Sequence, residues 1–133
     1  MADFDPYLLI VDDQPEICKM LAYCLKDEGL ITRMALSGEQ AIRAICIQAP
    51  VLIFMDFRMP GMNGLETLKK VQNLIYDVPV VMISADMDGD VITEALRTGR
   101  SRYFLPKPFS IASLKQLVKE ILASPPRALA IAN

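Results

Sequence analysis

The sequence predicts an α/β domain, a five-stranded parallel sheet that is doubly wound with helices on both faces. Three observations carry that prediction. Short unbroken apolar runs, Tyr7-Leu8-Leu9-Ile10-Val11, Val51-Leu52-Ile53-Phe54-Met55 and Val80-Val81-Met82-Ile83, read as strands buried on both sides. Between the strands lie stretches with apolar residues at helical spacing, so the two element types alternate along the chain. Most of the strands stop on polar or charged residues, which then share the edge where open parallel sheets bind ligands.

In order, Tyr7–Val11 is the first strand and ends on Asp12 and Asp13. Gln14-Pro15-Glu16 opens a helix, because Pro15 suits a first turn and Glu16 suits the positive end of the helix dipole. Ile17, Met20, Leu21, Cys24 and Leu25 repeat at helical spacing, and Gly29 stops the element. Residues 30–36 form a shorter strand. Ser37-Gly38-Glu39-Gln40 has the Ser-x-x-Gln form of a capping box, starting a helix with Ala41, Ile42, Ile45 and Ala49 on one face, and Pro50 closes it. The third strand ends on Asp56 and is followed by a Pro60-Gly61 and Asn63-Gly64 turn. Leu65, Leu68, Val71, Leu74 and Ile75 outline a third helix. Val78 to Ile83 forms a fourth strand ending on Ser84-Ala85-Asp86, and a weaker helix carries Val91, Ala95 and Leu96 before Gly99. Tyr103-Phe104-Leu105 is a short fifth strand before Pro106-Lys107-Pro108. Ser110 caps a last helix with Ile111, Leu114, Leu117, Val118, Ile121 and Leu122 as its apolar positions. Ser124-Pro125-Pro126 breaks that helix, so residues 1–124 read as one domain and 125–133 as a tail or the start of a linker.

A chain of 133 residues folding as one domain buries roughly two thirds of the surface its unfolded form exposes, without a disulfide or structural metal. Its 14 basic and 16 acidic residues leave a net charge of −2, which argues against direct nucleic-acid contact and against a membrane-surface role. The chain has no histidine to complete a zinc site, and its three cysteines, Cys18, Cys24 and Cys46, read as small apolar residues in a reducing compartment. The acidic N-terminus is no signal peptide and the apolar runs are too short to span a bilayer, so a cytoplasmic protein is expected.

All carboxyl ends of a parallel sheet share one edge, so Asp12, Asp13, Asp56, Ser84 and Lys107 are expected to converge. Carboxylates a few ångströms apart repel by about 3 kcal/mol per pair at an effective dielectric near 20. That cost calls for a cation, and a set of oxygen ligands selects Mg²⁺ (or Mn²⁺) over zinc. With an ammonium from Lys107 and a hydroxyl from Ser84, the site becomes a pocket for a phosphoryl group, whose charged oxygens each need a partner.

This arrangement resembles the receiver domain of bacterial two-component response regulators, a flavodoxin-like fold, and the resemblance covers residues 7–122. It rests on Leu9-Ile10-Val11-Asp12-Asp13, on Met55-Asp56-Phe57-Arg58-Met59-Pro60-Gly61-Met62-Asn63-Gly64, on Ser84-Ala85 and on Lys107-Pro108-Phe109. The resemblance implies that Asp56 accepts a phosphoryl group from a phosphohistidine on a sensor histidine kinase or phosphotransfer protein. Asp13, Asp56 and the backbone carbonyl of Arg58 would then ligate Mg²⁺, with Asp12 acting directly or through water, while Ser84 and Lys107 bind phosphoryl oxygens. It also implies a cis Lys107-Pro108 bond, which proline makes accessible. The domain would be no classical enzyme, catalysing only its own phosphorylation and slow autodephosphorylation. Its switch would couple Ser84 to an aromatic on the fifth strand. Counting back three from Lys107 gives Phe104 and counting forward from Gly99 gives Tyr103; the lysine and the strand favour Phe104.

Arg58 and Asp86 each lie two residues past a site residue and are expected to modulate the lifetime of the phosphorylated state. The face made by the fourth helix, fifth strand and fifth helix carries Arg97, Arg100, Arg102, Lys115 and Lys119, and is the expected place for output contacts or a homodimer. A fused output domain past residue 133 is a further expectation. The alternatives are a degenerate receiver acting as a phosphorylation-independent interaction module and a flavodoxin-like nucleotide binder. The carboxylate cluster disfavours both. A phosphatase of the Asp-x-Asp kind is disfavoured because Phe57-Arg58 follows Asp56.

Overall fold

The computed structural model describes residues 5–57, 64–74, 78–84 and 103–123. Five parallel strands make one sheet: β1 (Tyr7–Val11), β2 (Ile31–Ala35), β3 (Leu52–Asp56), β4 (Val80–Ser84) and β5 (Tyr103–Pro106), in the spatial order β2-β1-β3-β4-β5. The described helices are α1 (Pro15–Leu25), α2 (Gly38–Ile47), α3 (Gly64–Leu74) and α4 (Ile111–Ala123). The predicted helix around Val91, Ala95 and Leu96, the turn at 58–63 and the tail at 125–133 lie outside the described residues.

The sheet is wound on both sides because its central strands are apolar on both sides. β1 and β3 are buried at every position. On one face Leu9, Val11, Ile53, Met55, Val80 and Met82 pack with Ala41 and Ile45 of α2 and Leu68 and Val71 of α3. On the other, Leu8, Ile10, Phe54, Val81 and Ile83 pack with Cys18, Leu21 and Leu25 of α1 and Leu114, Val118 and Ile121 of α4. Each fully buried Leu, Ile or Phe side chain contributes roughly 1.5–3 kcal/mol, so the two-sided strands hold most of the hydrophobic stabilisation. The two edge strands differ: β2 buries only Ala35 and β5 only Leu105.

The helix boundaries follow their local chemistry. α1 passes through a 3₁₀ turn at Lys26–Glu28 and stops at Gly29, whose φ of 80° is a left-handed conformation that a side chain would disfavour. Ser37 Oγ accepts the Gln40 backbone N–H at 3.1 Å, but Gln40 Oε1 accepts from the N–H of Leu36 and not of Ser37, so the reciprocal half of the expected box is shifted by one residue. α2 ends before Ala49, since Pro50 pushes the residue before it into extended backbone. Ser110 Oγ caps α4 by accepting the Ser113 N–H at 3.0 Å. Four expected core positions face solvent instead: Met20, Leu74, Ile111 and Leu122 are each more than 40% exposed. In α3 the polar Thr67 and Gln72 are buried.

Candidate functional site

The chain leaves β1 toward β2 on one side and returns to β3 on the other, which opens a crevice at the carboxyl ends of β1 and β3. Val11 is in register with Met55, so Asp12, just past β1, comes alongside Asp56, the last residue of β3. Asp13 completes the group, and one carboxylate oxygen of each of the three residues lies within 4.8 Å of the others. Asp12 and Asp56 are buried, whereas Asp13 opens toward solvent.

Asp12 is fixed on almost every polar atom. Its N–H donates to Ala35 O at 3.0 Å, and its Oδ1 accepts the Gln14 N–H at 2.9 Å. Its carbonyl accepts the thiol of Cys18 at 3.5 Å. Oδ2 is left buried with no hydrogen-bond partner among the described residues. Burial raises the Asp12 pKa, and the charges of Asp56 and Asp13 push the same way; the Gln14 N–H and Lys107 oppose them. A buried acceptor without a donor, within a triad of close carboxylates, fits a hard divalent cation with oxygen ligands.

Lys107 follows β5, and its Nζ lies 3.8 Å from Asp56 Oδ1, long enough to be a loose ion pair. The Lys107-Pro108 bond is cis, as the resemblance implied. Ser84 ends β4, and Ile83, the residue before it, is in register with Asp56, so the backbone of Ser84 arrives at the same edge. The structure therefore brings Asp12, Asp13, Asp56 and Lys107 into one group with the end of β4 beside them. Arg58 and Asp86 lie outside the described residues, as do Arg97, Arg100 and Arg102.

The two aromatics of β5 separate across the sheet. Phe104 is in register with Met82 and packs into the cluster of Val80, Met82 and Met55, whereas Tyr103 packs on the opposite face with Ile83 and Leu105.

Sequence reasoning missed Cys18, taken as a plain apolar residue. Burial, reinforced by the charge of Asp12, pushes its thiol up to about 11, so at neutral pH it is a protonated donor. No motif announced this contact, which depends on the first turn of α1 folding back beneath the end of β1. The Gln14 N–H was easier to find, since an Asp side chain commonly accepts from the N–H two residues ahead of it.

Fold and site together define a class: a doubly wound α/β domain whose switch-point crevice holds a carboxylate cluster faced by an ammonium. A family profile for response regulator receiver domains matches residues 8–119. The chain is 34% identical over 115 residues to sporulation initiation phosphotransferase F of Bacillus subtilis, covering 86% of this chain and 92% of that protein. It is 36% identical over 118 residues to the nitrogen assimilation regulatory protein NtrX of Azorhizobium caulinodans, covering 86% of this chain but 26% of that longer protein. The crystal structure of the receiver domain of NtrX from Brucella abortus superposes with a TM-score of 0.81 at 33% identity, covering 89% of this chain and 99% of that one. The chain belongs to the response regulator receiver domain family.

Proposed function

We propose that this domain is a phosphoacceptor switch in which Asp56 takes a phosphoryl group from a phosphohistidine on a sensor kinase or phosphotransfer protein. The observation that carries this reading is the grouping of three carboxylates within 4.8 Å, one of them with a buried unpartnered oxygen, beside an ammonium 3.8 Å from Asp56. One Asp56 oxygen attacks phosphorus in line, the acyl phosphate bond forms, and the P–N bond to the donor imidazole breaks with its electron pair returning to nitrogen. Lys107 moves from Asp56 onto the phosphoryl oxygens, and Ser84 is assigned a second oxygen. Asp12, Asp13, Asp56 and the Arg58 carbonyl would hold Mg²⁺ or Mn²⁺, which when bound supplies positive charge to the transferring group.

Phe104 is the preferred switch aromatic over Tyr103, supported by its position opposite Met82, two residues before Ser84 on β4. Arg58 and Asp86 are assigned to control of hydrolytic water, and the face of the predicted helix carrying Val91, Ala95 and Leu96 together with β5 and α4 to output contact or homodimerisation. We take residues 1–124 as the receiver unit and 125–133 as a tail or linker start. This chain spans about a quarter of the longer NtrX relative, so an output domain past residue 133 belongs to the same proposal. The reading implies a cytoplasmic domain; for its part, no described helix is long and apolar enough to cross a membrane.

The test is labelling by acetyl phosphate in the presence of Mg²⁺, read by intact mass. One acid-labile phosphoryl group per chain is expected on the wild type and none on Asp56→Asn. Absence of label on the wild type would favour a phosphorylation-independent interaction module, and equal label on both would move the acceptor elsewhere.

A further inference from the structure

The helix α1 reaches the acidic triad through the buried thiol of Cys18. That side chain is 1% exposed, and its Sγ lies 3.5 Å from the carbonyl oxygen of Asp12. The same first turn is tied to the strand end twice more. The Cys18 and Ile17 N–H groups both donate to Gln14 O, at 3.3 and 3.1 Å, and the Gln14 N–H in turn donates to Asp12 Oδ1. A closed ring of bonds therefore runs from Asp12 through Gln14 to Cys18 and back to Asp12. With the Asp12 N–H held by Ala35 O on β2, every polar atom of Asp12 is engaged except Oδ2, which is buried at the triad.

From this geometry we infer that Cys18 is a positioning residue for the cation site: its thiol fixes the peptide plane of Asp12-Asp13 and thereby the direction of both carboxylates. The inference rests on the reading of the triad as a divalent-cation site. A donor beneath a ligand's own backbone acts as outer-shell partners do, restricting the orientations from which the ligand must be recovered when metal binds. A thiol is a weak donor, so the effect lies below that of a full outer-shell carboxylate or amide. The position also demands a small side chain, since it belongs to the buried cluster on that face that includes Leu8, Leu21 and Phe54.

The experiment is Mn²⁺ binding to the wild type and to Cys18→Ser, Cys18→Ala and Cys18→Val, read by the electron paramagnetic resonance signal of free Mn²⁺, with urea unfolding in EDTA measured alongside. Cys18→Ser keeps a donor of similar size and is expected to bind within about twofold of the wild type. Cys18→Ala removes the donor and is expected to bind roughly three- to tenfold more weakly. Cys18→Val removes the donor while keeping apolar volume, and reads the same loss if Cys18→Ala does not fold. Donorless variants that bind like the wild type overturn the inference. So does a serine variant weakened as much as alanine, because the thiol would then act by packing alone. A wild type that binds no Mn²⁺ overturns the cation-site reading itself, a result distinct from either.

Discussion

The two edges of this sheet are built to opposite rules. At the amino ends of the strands, polar groups are consumed in neutral hydrogen bonds. Tyr7 Oη donates to Gln48 O at 2.6 Å, Gln48 Nε2 donates to Asp5 O at 2.9 Å, and the Val51 N–H donates to Tyr7 O at 2.9 Å. Arg33 lies over the Tyr7 ring at 4.7 Å. One amide oxygen, Gln48 Oε1, is buried there without a partner among the described residues. At the carboxyl ends, three carboxylates are crowded together and an oxygen of the most buried is unspent. A neutral orphan costs about 1–3 kcal/mol, whereas crowded carboxylates cost about 3 kcal/mol for each pair and are relieved by a cation or by taking up a proton. The first edge closes the sheet with neutral bonds; the second gathers like charges at the fold's expense.

The largest test of this contrast is alkaline. The Cys18 thiol, ordinarily near 9, is raised to about 11 by burial first and by Asp12 second. A thiol that holds its proton more tightly when folded contributes stability that is complete below pH 9 and is lost as pH rises toward 11. The span of about two pH units corresponds to roughly 2–3 kcal/mol. Urea unfolding between pH 8 and 11 is expected to show this decline, and Cys18→Ser, with no group titrating there, is expected to flatten it. Equal slopes in the two proteins would mean that the site edge is not where alkali attacks.

Next in size is the release of stored repulsion. Asp12→Asn keeps an oxygen for the Gln14 N–H and replaces Oδ2 by an amide that can donate to a neighbouring carboxylate. Two repulsions of about 3 kcal/mol each are removed, offset by lost attraction to Lys107 and weaker bonding to Gln14, for a net gain of about 2 kcal/mol in EDTA. The same variant is expected to lose most of the stabilisation that about 10 mM Mg²⁺ would give the wild type. The raised Asp12 pKa gives the matching sign: in EDTA the wild type loses stability as pH climbs from the ordinary carboxylate range through the raised folded value of Asp12, and the asparagine variant does not. A variant less stable than the wild type in EDTA would show that the triad is not under strain.

How much of this was legible beforehand divides along the same line. β1 and β3 were readable because continuous apolar runs have one solution, burial on both faces, and the polar residue ending each run then has to stand at the edge. That logic located Asp12, Asp13, Asp56 and Lys107 without any knowledge of contacts. Helix faces were less legible: Leu74, Ile111 and Leu122 fit the apolar period yet face solvent, because spacing describes a stripe and only packing says how wide it is. Which face Phe104 and Tyr103 take was not legible, because a shift of one residue along β5 exchanges the faces. Cys18 was invisible because its function depends on a hydrogen bond to a backbone carbonyl, which any residue has.

The smallest expected effect belongs to the edge without chemistry. Tyr7→Phe deletes the hydroxyl that donates to Gln48 O and leaves that carbonyl short of a donor at the end of α2. The ring remains in the core and under Arg33, so packing is preserved and only the hydrogen bond is removed. A single neutral hydrogen bond to a partly buried carbonyl is worth about 1 kcal/mol net, and the expected loss in urea unfolding at pH 7 is of that order. Burial also raises the Tyr7 phenol above its ordinary value, with Arg33 pulling it partly back, so the hydroxyl is protonated and donating throughout the neutral range. Because Tyr7 lies at the opposite end of β1 from Asp12, the variant is expected to bind Mn²⁺ and to accept phosphoryl from acetyl phosphate as the wild type does. A Tyr7→Phe protein that lost metal binding in proportion to its stability would mean that β1 transmits strain from end to end, and the separation of the two edges would fall with it.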